Sequence, residues 1–154
     1  NLFIVLKLTS VNLFNTFIIR RRIMPHLSME YSGGLETRAN MAAVARAAHG
    51  AMLTCEIFPV AGIRVRLFRA DHAIVADGLA ENDFLAMTLS VGAGRTKEAL
   101  REAGDRIFTA VQAELSDVLA SPHFALSLEI RTVNPELSWK DTPIHARLSG
   151  PDRS

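Results

Sequence analysis

Pro25-His26-Leu27-Ser28-Met29-Glu30-Tyr31 is the stretch that decides the fold. Leu27, Met29 and Tyr31 alternate with His26, Ser28 and Glu30, the period of a strand with one buried face. Gly33-Gly34 ends it. Downstream, Met41, Val44, Ala45, Ala48 and Met52 fall at helical spacing. Pro59 and Gly62 then mark a connection into Ile63, Val65 and Leu67, which alternate with Arg64, Arg66 and Phe68. Asp77-Gly78 is a turn signal, and a second round follows. Leu85, Met87, Leu89 and Val91 alternate with Ala86, Thr88 and Ser90, and Gly92-Ala93-Gly94 closes the strand. Thr96 can cap a helix whose apolar face is Leu100, Ile107, Phe108, Val111, Leu115, Val118 and Leu119, ending at Ser121-Pro122. Leu126, Leu128 and Ile130 alternate with Ser127, Glu129 and Arg131 in a last strand. From Asn134 onward Pro135, Pro143 and Gly150 predict an irregular tail. The fold class is α+β, two tandem strand–helix–strand units giving four strands covered by two helices. One sheet face and both edges are then poorly protected, and oligomerisation is the natural remedy.

Residues 1–24 differ in kind from the rest: they hold no Ala, Gly, Asp or Glu and are rich in Asn, Leu, Phe and Ile. A signal peptide or membrane anchor would use Leu2 to Ile19 as its apolar part. Lys7, Asn12, Asn15 and the lack of a charged n-region count against it. An amphipathic leader would need a clean helical period, which is absent. The composition favours a third origin, translated upstream sequence, because Asn, Phe, Ile and Lys are AT-rich in codon usage and Ala, Gly and Arg are not. The expected domain plan is a non-native leader over 1–24 and one domain with its tail over 25–154.

That length suits one small domain with a modest core. The formal net charge is +1, and the leader carries Lys7 and Arg20 to Arg22 with no acid, so the remainder is net negative. Such a balance makes neither nucleic acid nor an acidic membrane surface an expected partner. Cys55 is the single cysteine, which excludes an internal disulfide, fits a reducing cytoplasm, and reads as a small packed residue.

One ordered set of segments runs from Met24-Pro25-His26-Leu27 and Glu30-Tyr31 to Ile57-Phe58-Pro59-Val60-Ala61-Gly62-Ile63-Arg64. It continues with Met87-Thr88-Leu89, Gly92-Ala93-Gly94-Arg95, Ala125-Leu126-Ser127-Leu128-Glu129-Ile130 and Asn134-Pro135 through Trp139-Lys140 to His145. In order and spacing this set resembles the 5-carboxymethyl-2-hydroxymuconate isomerase family of the tautomerase superfamily. The resemblance implies a tautomerase-like β-α-β repeat with a four-stranded mixed sheet, assembled as a homotrimer. It also implies proton transfer without a cofactor, on a small anionic dienol carboxylate, in homoprotocatechuate (4-hydroxyphenylacetate) degradation.

Such an isomerisation moves a proton between carbons through a dienolate and needs a base plus a counter-charge. If the mature chain begins at Pro25, its nitrogen is a secondary amine; every internal proline nitrogen is an amide whose lone pair is lost to resonance. An ordinary α-amine has a pKa of about 7.7–8.0, and a proline amine is intrinsically more basic. An apolar strand face and nearby arginines lower it toward neutrality, where a group can both take and return a proton. Pro25 is the expected base and acid. Arg64 and Arg95 occupy matching positions of the resemblance, and a planar guanidinium suits carboxylate binding and enolate stabilisation. Arg64 has the parity opposite Ile63, Val65 and Leu67. Arg95 follows a Gly-Ala-Gly turn at a helix start, where backbone N–H groups favour anions.

His26, His49, His72, His123 and His145 are scattered, with no metal-ligand spacing, so no metal is expected, and the resemblance implies no cofactor. His26 points away from the Pro25 face and reads as structural or interfacial, Arg66 and Arg69 as solvated or interface charges, and Trp139 and Lys140 as a tail that docks on a neighbouring subunit. Three alternatives stay open: a non-catalytic trimeric binding protein of this fold, a tautomerase for a different enol acid, and a protein tethered to a membrane through Leu2 to Ile19.

Overall fold

Two parallel strand pairs, each closed by a crossover helix, meet back to back in one sheet. The computed structural model describes residues 24–149, so all of the expected 1–24 leader except Met24, and the last five residues, lie outside the described residues. The elements are β1 (His26–Ser32), α1 (Met41–Leu53), β2 (Arg64–Ala70), β3 (Asp83–Gly92), α2 (Lys97–Glu114), α3 (Ser116–Leu119), β4 (Phe124–Val133) and α4 (Pro143–Ser149). Short 3-10 turns occupy Gly33–Thr37, Val60–Gly62 and Pro135–Leu137. The strand order is β2-β1-β3-β4. β1 runs parallel to β2 and β3 parallel to β4, while the central β1/β3 pair is antiparallel. Parallel neighbours require a long crossover, and α1 and α2 supply it.

Both crossover helices start at side-chain caps. Asn40 Oδ1 accepts the Ala43 N–H at 3.1 Å, and Thr96 Oγ1 accepts the Ala99 N–H at 3.1 Å. The core follows from the alternation in β1. Leu27, Met29 and Tyr31 stand opposite Leu89, Met87 and Leu85, and all six are buried. Met41, Val44, Ala48 and Met52 of α1 and Ala103, Ile107 and Val111 of α2 cover them. Each large apolar side chain so buried is worth roughly 1.5–3 kcal/mol relative to exposure. Gly104 lets α2 lie close on β4: a Cβ there would meet Ile130 Cδ1 at 3.2 Å. The opposite sheet face carries His26, Ser28, Glu30, Arg64, Arg66, Ala125, Ser127 and Glu129, all half-exposed or exposed.

Two expectations need correction. The single helix expected from Thr96 to Leu119 is broken at Leu115, whose φ of −108° and ψ of 18° leave the helical region; α3 is a separate short turn, and Leu119 is 38% exposed rather than core. The tail is irregular only in part: residues 138–142 form no regular element, but two short ones flank them. Asn134 Oδ1 accepts the Glu136 N–H at 2.9 Å to start one turn, and Pro143 opens α4. Proline at a first helical position is pre-set for it and gives up no helical hydrogen bond, so the prolines that looked like breakers are starters.

The end of the sheet where β1 finishes and β3 begins is locked by buried polar groups. Ser32 Oγ–H donates to Asp83 Oδ1 at 2.6 Å and accepts the Phe84 N–H at 3.0 Å, while Arg38 Nη1 donates to Asp83 Oδ2 at 3.0 Å. Asp83 is 6% exposed, so its removal leaves buried donors unpaired. Asp83→Ala should therefore lose about 2–4 kcal/mol of stability in a denaturant titration. Asp83→Asn, which keeps an acceptor toward Ser32, should lose less.

Candidate active site

At the other end of the sheet the head of β1 is held between two neighbours. His26 stands opposite Arg64 on β2 and opposite Ser90 on β3. One residue earlier, Pro25 is buried, and its carbonyl accepts the Arg64 N–H at 3.1 Å. The head of β1, the start of β2 and the end of β3 at Gly92 thus converge, with Arg95 three residues beyond.

The connection Ile57–Gly62 ties these parts together. Gly62 packs directly on residues 24 and 25: a Cβ there would lie 3.1 Å from Met24 Cα and 3.2 Å from Pro25 Cδ. Only glycine permits that approach without backbone displacement. The Gly62 carbonyl also accepts from Arg64 Nη1 at 3.3 Å. Arg95 is anchored on the same connection. Its Nε donates to the Ile57 carbonyl at 3.2 Å, its Nη1 to Gly92 at 2.8 Å, and its guanidinium lies 5.7 Å from the centre of the Phe58 ring. All three sequence candidates therefore border one short segment. Both guanidiniums are partly buried and held by backbone carbonyls, an arrangement that fixes positive charge at this end of the sheet.

The parity expected for Arg64 holds, because its side chain is on the His26 side of the sheet. His26 does not merely point away from the site: its Nε2 lies 3.2 Å from Arg64 Nη1. Burial first, then the charges of Arg64, Arg66 and Lys140, push the imidazole below its ordinary value of 6.5. At neutral pH the ring is therefore uncharged, and against a guanidinium donor its Nε2 is the acceptor, with the proton on Nδ1. The contact was missed in the sequence because it joins residues thirty-eight positions apart. Its only signal is register, and register needs β1 and β2 to be known as parallel neighbours.

Other charged candidates lie elsewhere. Arg69 pairs with Asp71 at 2.7 Å and Glu36 at 3.5 Å, and Arg66 donates to Ser28 Oγ at 3.1 Å beside the Phe68 ring. Cys55 is buried, its thiol donating to the Ala51 carbonyl at 3.3 Å, and burial pushes its pKa up, as suits a packed residue. A cleft of about 320 Å³ beside it is lined by Glu56, Glu102 and Arg106, and by none of Pro25, Arg64 and Arg95. α4 packs against the Val60–Gly62 turn, and the Nε2 of its His145 is buried without a hydrogen-bond partner among the described residues. Trp139 before it is 85% exposed.

In this chain the Pro25 nitrogen is the amide of the Met24–Pro25 bond. Met24 has a φ of 90°, unusual for a residue with a side chain.

Comparison with known proteins gives a consistent neighbourhood. The profile of the family described as 5-carboxymethyl-2-hydroxymuconate isomerase matches residues 25–148. A 5-carboxymethyl-2-hydroxymuconate Delta-isomerase of Escherichia coli is 32% identical over 123 residues, covering 80% of this chain and 98% of that protein. A crystal structure of a 5-carboxymethyl-2-hydroxymuconate isomerase from Deinococcus radiodurans R1 superimposes with a TM-score of 0.77 at 32% identity, over 84% of this chain and 97% of that one. A crystal structure of a 5-carboxymethyl-2-hydroxymuconate delta-isomerase gives a TM-score of 0.80 at 29% identity, over 88% and 99% respectively.

Proposed function

The chain belongs to the 5-carboxymethyl-2-hydroxymuconate isomerase family and is an isomerase, and we propose that it moves a proton within an unsaturated 2-hydroxy or 2-oxo carboxylic acid of the 5-carboxymethyl-2-hydroxymuconate type, with Pro25 as base and acid. The reaction belongs to aromatic catabolism, homoprotocatechuate degradation, in the cytoplasm. The observation that carries the site is the convergence of Pro25, Arg64 and Arg95 on the Ile57–Gly62 connection.

The unprotonated amine of a chain beginning at Pro25 takes a proton from a substrate carbon: that C–H bond breaks and an N–H bond forms. The electron pair spreads into a dienolate, whose charge is offset by a guanidinium, and the prolinium returns the proton to another carbon of the same system. The second guanidinium binds a carboxylate, for which its planar fork is matched. No co-reactant is needed, since the proton is taken and returned by one group.

A start at Pro25 is supported by the family match, which begins at that residue. The native protein should give Pro25 as its N-terminal residue on sequencing. Its kcat/KM should fall as pH drops through the amine's pKa, because protonation removes the base. A chain with an acetylated or extended N-terminus should fold yet be nearly inactive; full activity with the same pH profile in the blocked form would remove the amine from the mechanism.

Arg64→Ala and Arg95→Ala should each cost about 2–4 kcal/mol of transition-state stabilisation, read from kcat/KM. The arginine on the carboxylate should act through KM and the one on the dienolate through kcat. Near-normal kinetics in both variants would relocate the site.

The half-exposed second sheet face and the two open edges support assembly as a homotrimer. Light scattering at micromolar concentration should return three subunit masses, and a fully active monomer would refute the assembly.

A further inference from the structure

One group beside the proposed site has no part in the proton transfer: the His26 imidazole, lying between Pro25 in sequence and Arg64 in space. Arg64 Nη1 has two contacts, His26 Nε2 at 3.2 Å and the Gly62 carbonyl at 3.3 Å. Both acceptors are on the same guanidinium nitrogen. Among the described residues nothing pairs with Arg64 Nε or Nη2, and these two N–H groups form the side edge of the fork, the edge that holds a carboxylate through two parallel hydrogen bonds. An arginine stem has several rotatable bonds, so one carbonyl contact leaves the plane of the guanidinium free to swing. A second, from the ring of a residue fixed in the central strand, restrains it.

We propose that His26 is a positioning residue, its ring accepting from Arg64 Nη1 and so aiming the Nε–Nη2 edge of Arg64 at a carboxylate or dienolate oxygen of the substrate. This rests on the reading of Arg64 as an anion partner given above. The charges facing His26 fit an acceptor role. Arg64 and Arg66 lie on β2 and Lys140 in the tail, while the β3 residue opposite, Ser90, is neutral. A cationic ring there would meet three like charges and have no lone pair to offer Nη1.

The test compares His26→Leu, which keeps bulk and removes the acceptor, with His26→Gln, whose side-chain oxygen reaches a similar distance. His26→Leu should lower kcat/KM roughly tenfold, through whichever of KM or kcat Arg64→Ala moves, and His26→Gln should recover most of the loss. In an Arg64→Ala background His26→Leu should add nothing, because the group it positions is gone. As a readout independent of activity, the His26 ring followed by NMR should titrate at higher pH in Arg64→Ala than in the wild type. Normal kinetics for His26→Leu beside a damaged Arg64→Ala would overturn this inference and leave the Arg64 reading standing. Losses that multiply in the double variant, or a His26 titration unmoved by Arg64→Ala, would also overturn it. A normal Arg64→Ala enzyme would overturn the site reading itself.

Discussion

β1 is hydrogen-bonded on both sides, parallel to β2 and antiparallel to β3, and the rest of the molecule is arranged around that double pairing. Its alternate residues Leu27, Met29 and Tyr31 face α1 and α2 and cannot slip by one position without exchanging the buried face for the polar one. Register is therefore rigidly specified. The consequence for chemistry is that residue 25 is held at a defined height, opposite the start of β2 and the end of β3. A base placed there is positioned by the most constrained strand in the sheet and not by a loop.

Around that point the connection Ile57–Gly62 acts as a bracket. It approaches Pro25 through a residue with no side chain, takes one hydrogen bond from Arg64 and one from Arg95, and offers the Phe58 ring to the second guanidinium. Carbonyl dipoles orient both guanidiniums, and the Phe58 π face adds to the hold on Arg95. Arg69, farther along β2, is paired with Asp71 and Glu36.

The buried polar lock and the proposed site lie at opposite ends of the sheet. The buried Ser32–Asp83–Arg38 group closes the end where β1 finishes, while β3 runs ten residues before reaching Gly92 beside the site. At roughly 3.3 Å per residue that is about 30 Å. Polar groups that would be costly if disturbed thus lie at the end away from Pro25, Arg64 and Arg95.

The sequence by itself determined the four strands, the two crossover helices and the buried face of each, because a period of two or of 3.6 records which side chains leave water. It also marked Pro25, Arg64 and Arg95, through residue types and their order. It misjudged the helix break at Leu115 and the turns at Pro135 and Pro143, where the outcome depends on local caps and backbone angles that periodicity does not encode. The His26–Arg64 contact and the gathering of three distant segments on Ile57–Gly62 were decided only by the tertiary structure. Strand order and register set which residues meet across a sheet. These are long-range pairings, which alternation within any one strand leaves undetermined.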